Sequence, residues 1–179
     1  MTIPHYFIII CSIIYLFVPG SLLSRDSTLI SFKLEDQFGN EYTENDFLGR
    51  ISLLIGSDKE GSQYNRLWAS AIYDSLEEWG KTELVIMIPI ADLRGVPFFL
   101  KGFVKRKFPK QRDNWVILDW KGHFPKSYDF VAHQTNLLVF DQKGNLIYFT
   151  HGEEPDHENI RSILLKLISL SPEGKPPKF

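Results

Sequence analysis

Cysteine is nearly absent from this chain of 179 residues: Cys11 is the only one. A single thiol cannot close an internal disulfide, supply a dithiol pair for thiol–disulfide exchange or build a Cys-rich zinc site. Charge is missing as well, but only locally. The first 24 residues contain no Lys, Arg, Asp or Glu, while 16 of them are apolar or aromatic. All 20 basic and 22 acidic residues lie beyond them, so the formal net charge of −2 belongs to the rest of the chain. That balance gives no overall positive field, so bulk charge argues for neither nucleic acid nor an anionic membrane, and nucleic acid is not an expected partner. Twelve Gly and ten Pro are too few for a collagen-like or low-complexity chain, and 44% hydrophobic with 23% charged residues fits one globular domain.

The uncharged start holds a run at residues 6–18 made mostly of Ile, Leu, Phe and Val, followed by Pro19, Gly20 and Ser21. As a helix the run spans only about 20 Å, short of a bilayer core of about 30 Å. Small residues near Gly20 and Ser24 suit a signal-peptidase site, so a cleaved secretory signal over residues 1–24 is the leading expectation. The alternative is an uncleaved anchor over residues 3–23, which would associate the chain with a membrane. Cleavage removes Cys11 and leaves a body without any thiol. The remaining expected segments are one domain over residues 25–171 and a flexible Pro-rich tail over residues 172–179.

Within the body, short β-like runs at residues 29–34 and 41–43 flank Asp36, Gln37, Phe38, Gly39 and Asn40, which is a hairpin signal. Residues 51–55 read as a buried strand, and 60–79 as a helix with Tyr64, Leu67, Trp68, Ala71, Ile72, Leu76 and Trp79 at helical spacing. A second buried strand follows at 84–88. Pro97 then opens a shorter helix with an apolar stripe of Phe98, Phe99, Leu100, Phe103 and Val104. A short strand near 115–118, a hairpin of 137–140 with 146–149, and a last helix over 156–170 complete the order. Alternation of strand and helix followed by a hairpin implies an α/β fold with a mixed sheet and helices on both faces. The Asp-x-x-Gly pattern recurs at Asp36, Asp119 and Asp141, and turn chemistry accounts for it without calcium.

This order resembles the thioredoxin-like superfamily with an N-terminal β-hairpin extension of the peroxiredoxin type. The resemblance places catalytic cysteines at the start of the helix after the first core strand, where the positive helix end stabilises a thiolate. Here that junction reads Ile55, Gly56, Ser57, Asp58, Lys59, Glu60, Gly61, Ser62, Gln63. It also implies a Pro before a later core strand, where this chain has Thr135. A closer likeness is to the YtfJ-like family of exported bacterial proteins, which have this fold and often lack the cysteines. It rests on the junction itself, the Pro-led second helix after Pro89 to Asp92, the segment Val116 to Gly122 and the hairpin Val139 to Gly144. No functional residue transfers from it.

The junction is the candidate site. Ser57 and Glu60 have the spacing of a capping box, which would satisfy the helix start internally. The functional reading is a helix end open to a polar ligand, contacted by Ser57, Asp58 and Ser62 beside Thr135. His151, Glu153, Glu154, Asp156, His157 and Glu158 have metal-ligand chemistry, but Pro155 and its acidic neighbours are what an ordinary helix start wants, so no metal is expected. His123 and His133 are isolated. Lys101, Lys105, Arg106, Lys107, Lys110 and Arg112 are interleaved with Phe103 and Phe108, a pattern for a solvated face, a lipid headgroup or an acidic partner. The expectation is therefore an exported, non-catalytic binding module of the periplasm or cell envelope, without cofactor, whose partner is an envelope protein or a small ligand. The alternative is a non-thiol enzyme built around Ser57 and Asp58.

Overall fold

The structure is a computed structural model that describes residues 25–171. The expected leader with Cys11 and the expected tail lie outside the described residues. A hairpin of β1 (Lys33–Glu35) and β2 (Glu41–Thr43) precedes β3 (Ile51–Ser57), α1 (Ser62–Glu78), β4 (Val85–Asp92), α2 (Lys101–Lys105), β5 (Ile117–Asp119), α3 (His123–Ser127), β6 (Thr135–Phe140), β7 (Leu146–Gly152) and α4 (His157–Ser169). β1 and β2 pair antiparallel by themselves. The other five strands form one sheet in the order β5-β4-β3-β6-β7. β3, β4 and β5 run parallel, while β6 and β7 run antiparallel to their neighbours.

β3 and β6 are buried along their whole length because both faces of the sheet are covered. Their side chains alternate between two cores, as the two-residue period of a strand requires. Leu53, Ile55, Leu137 and Val139 meet Trp68, Ile72 and Leu76 of α1 and Ile163, Leu164 and Leu167 of α4. Leu54, Leu138 and Phe140 point the other way, into a cluster with Phe32, Phe47, Phe124 and Tyr128. Tyr128 ties the start of the domain to this second core: its hydroxyl donates to the Thr28 carbonyl at 2.7 Å and accepts from the Ile30 N–H at 2.9 Å.

The recurring Asp-x-x-Gly-Asn pentads are two copies of one clasp. Asp36 Oδ1 accepts from the amides of Phe38 and Asn40, and Asp141 Oδ1 accepts from those of Lys143 and Asn145. Gly39 and Gly144 take the left-handed backbone at φ +88° and +80° that closes each turn. The second helix departs from expectation. Instead of one apolar stripe, a 3₁₀ turn at Phe98–Leu100 leads into a five-residue α2, and neither buries a residue. The two pieces are too short to turn an apolar stripe onto the core as a longer α-helix would.

Candidate functional site

β3 delivers the chain to the junction at the carboxyl end of the parallel strands. Ser57 is the last residue of β3 and almost wholly buried, so it cannot cap α1, which starts at Ser62 after Gly61. The expected capping box with Glu60 is therefore not formed. Asp58 serves instead: its Oδ1 accepts from the Gly61 amide at 2.8 Å. Gly61 itself lies against the loop that enters β6, and a Cβ there would overlap the Gln134 carbonyl. That close approach brings the helix start and loop 131–134 into one structure.

Three of the four expected site residues are engaged in it. Asn65, one turn into α1, donates through Nδ2 to Ser57 Oγ and accepts from Thr135 Oγ1, both at 2.8 Å. Ser57 and Thr135 are thus the two ends of a buried polar chain centred on Asn65. Asp58 Oδ2 accepts the His133 amide at 2.8 Å, joining helix start to loop. Ser62 is exposed, and its hydroxyl donates back to the Lys59 carbonyl at 2.6 Å. Behind them, fully buried Asn136 closes the loop: its Oδ1 accepts from the Val131 amide and its Nδ2 donates to the Val131 carbonyl.

His133, isolated in the sequence, is brought to this site by a left-handed backbone at φ +64°. Its Nδ1 lies 3.6 Å from Asp58 Oδ2 and 3.9 Å from Glu60 Oε2. One donor atom from each of Asp58, Glu60 and His133 falls within 4.8 Å of the others, close enough to meet on one divalent cation. The positive end of α1 opposes a cation there. By contrast, the His- and acid-rich stretch from the end of β7 onward leads into an ordinary helix start. Asp156 caps α4 through the Asn159 amide, Glu153 Oε2 accepts from the Tyr64 hydroxyl, and His151 Nδ1 meets Gln134 Oε1 at 2.6 Å.

Asp58 also belongs to a wider row. Registers pair Ser57 with Ala91 and Ala91 with Leu118, so the next position on each strand carries Asp58, Asp92 and Asp119. Arg94 forks onto Asp92, with Nε and Nη2 at 3.0 and 2.7 Å from its two oxygens. This hydrogen bonding, with the charges of Asp119 and Asp58, holds the guanidinium more firmly protonated than usual. Its stem lies across Gly122, where a Cβ would overlap it. Asp119 is fully buried; Oδ2 accepts from the Phe124 amide, and Oδ1 has no hydrogen-bond partner. Sequence reasoning missed Asn65, Asn136 and Arg94. Of the row, β4 and β5 each close on an Asp, and Asp58 follows the last residue of β3.

No family model matches the sequence, and no curated protein matches it. Solved structures do. A putative protein disulfide isomerase from Bacteroides thetaiotaomicron superposes with a TM-score of 0.54 at 16% identity, covering 83% of this chain and 91% of that one. Yeast Sco1 with copper bound gives 0.59 at 18%, covering 86% and 100%. The pneumococcal exposed lipoprotein thioredoxin from Streptococcus pneumoniae gives 0.53 at 18%, covering 79% and 100%. At these identities the likeness is one of fold: the chain has a thioredoxin-like fold with an added N-terminal strand pair. It carries one cysteine, and no helix among the described residues is long and apolar enough to cross a membrane.

Proposed function

We propose that the chain is an exported, YtfJ-like thioredoxin-fold protein that acts as a non-catalytic binding module of the cell envelope. The observation that carries this reading is the state of the junction. Where the fold resemblance expects a thiolate, Ser57 and Thr135 are consumed by Asn65, Asp58 ties α1 to loop 131–134, and no sulfur is present. The uncharged apolar start supports export. The ligand surface is the α1 entrance, with Asp58 and Ser62 outermost and Ser57 and Thr135 beneath them. An insulin-reduction assay with dithiothreitol tests the absence of thiol chemistry; the expected result is no acceleration over dithiothreitol alone, and turnover overturns the reading. Capture from envelope extracts by the wild-type chain, reduced by Asp58→Ala and Ser62→Ala, is expected for a binding module.

One observation favours a second reading, a non-thiol enzyme at the same helix end. Asp58, Glu60 and His133 converge there as a carboxylate–imidazole set suited to general acid–base work. Ser57 is sealed behind Asn65 and the Ser62 hydroxyl donates to the Lys59 carbonyl, so the three groups would act on water or on a bound group. Hydrolysis of an activated ester or phosphate ester that disappears in His133→Ala would support it.

A further inference from the structure

The segment from Phe98 to Arg112 holds four of the exposed large hydrophobic side chains among the described residues. Phe98 and Phe99 are 86% and 80% exposed, and Phe103 is 52% exposed. Large rings left this bare are not packed into the core of their own fold, and three of them within six residues mark an interaction surface. The same stretch carries Lys101, Lys105, Arg106, Lys107, Lys110 and Arg112, with no Asp or Glu between Leu93 and Arg112. Among the described residues, the acid that pairs with these side chains is Glu35 at the rim, 4.0 Å from Lys105 and itself exposed.

Cations and rings are interleaved rather than segregated. Lys101 Nζ lies 5.9 Å from the centre of the Phe98 ring and 5.0 Å from that of Trp120, and Lys107 Nζ lies 4.9 Å from that of Phe103. Beside them an open cavity of about 380 Å³ is lined by Phe38, Lys105, Arg106, Phe108 and Lys110. A partner matching this surface needs negative charge and apolar matter within a few ångströms of each other over a yielding face. A bilayer interface has that layering, phosphates directly above acyl chains. A folded acidic protein would have to shape a separate slot for each ring.

We infer that residues 98–112 form a membrane-docking element, in which Phe98, Phe99 and Phe103 enter the acyl boundary of an anionic phospholipid bilayer while the surrounding Lys and Arg bind its phosphates, one headgroup seating in the basic cavity. The surface lies in the α2 segment and does not depend on the ligand proposed for the junction.

The test places an indole on the element by Phe99→Trp in the full chain, the wild-type chain giving the baseline of its four native Trp. Vesicles of phosphatidylcholine with about 30 mol % phosphatidylglycerol carry brominated acyl chains. The expected result is a blue-shifted emission quenched by the bromines, weakened at about 1 M salt and on vesicles of phosphatidylcholine alone. Lys105→Glu with Arg106→Glu and Lys107→Glu should lower the apparent affinity at least about tenfold. Because quenching reads the position of residue 99, it discriminates even if residues 1–24 hold every variant to the vesicle. An unquenched indole on anionic vesicles, or quenching indifferent to lipid charge and to the charge reversals, overturns the proposal. So does binding to polyglutamate without quenching, which assigns the surface to an acidic protein.

Discussion

The Thr135 hydroxyl donates to Asn65 Oδ1 at 2.8 Å, a contact between residues 70 apart in sequence. Asn65 gives its remaining amide function to Ser57 Oγ, so one side chain on α1 pins the ends of two adjacent sheet strands. Asn65→Ala leaves two buried hydroxyls without that partner and should destabilise by about 2–3 kcal/mol. Thr135→Val removes one hydroxyl and leaves only the half-buried Asn65 oxygen wanting, which water can reach, so its loss should be smaller. Urea denaturation of both variants checks the order; equal losses would place the stability elsewhere.

Gly61 offers a test of packing apart from backbone conformation. Its φ of −70° is ordinary for any residue, so the left-handed freedom of Gly is not what the position uses. The Cβ would nevertheless overlap the Gln134 backbone, which cannot swing aside as a side-chain tip can. Gly61→Ala should therefore lower stability by at least about 1 kcal/mol and loosen loop 131–134. Denaturation together with amide exchange at His133 reads both effects, and a more stable variant refutes the close approach.

His133 separates backbone from side chain. Its ring is 70% exposed, while its left-handed backbone strains any residue with a Cβ. His133→Gly should be more stable than His133→Ala by about 1 kcal/mol, although Gly disfavours folding elsewhere. If Ala equals or exceeds Gly in thermal melts, the left-handed assignment fails.

Acid should undo the two turn clasps. Burial pushes the Asp36 and Asp141 carboxyls up, but hydrogen bonds from the Asn40 and Asn145 side chains and from neighbouring amides outweigh it and hold both below the ordinary carboxylate value. A folded value below the unfolded one means that the stabilisation is complete above the ordinary pKa of about 4 and is lost as pH falls through the folded value. Asp36→Asn should lower Tm at pH 7 and flatten its decline below about pH 4. A variant whose acid limb parallels the wild type removes Asp36 from the account.

Much of the fold was legible because its signals are local. The apolar runs of β3 and β4, the face of Trp68, Ile72 and Leu76, and the pentads at Asp36 and Asp141 each declare their structure within a few residues. The junction was only half legible. Ser57, Asp58 and Thr135 were marked by their place in the element order, but Asn65 looks like any polar residue on a helix, and its meaning arises from a strand more than sixty positions away. His133 was unreadable for the same reason: a turn residue becomes a neighbour of Asp58 and Glu60 only after β6 pairs with β3. The second helix failed differently, since Phe98, Phe99 and Leu100 advertise burial that the 3₁₀ turn does not provide.

The stretch before β1 is buttoned on rather than woven in. The Asp26 amide donates to the Ser127 carbonyl, the Leu29 amide to that of Gly144, the Leu146 amide to that of Ser27, and Arg25 Nε to that of Tyr128. A mechanical load arriving along the chain from its N-terminal side meets these fasteners at the end of α3 and at the β6–β7 turn, where Leu146 opens β7, before it reaches β3. The domain thus has a sacrificial hem: tension from its N-terminal side peels a short edge and spares the junction at the opposite end of β3.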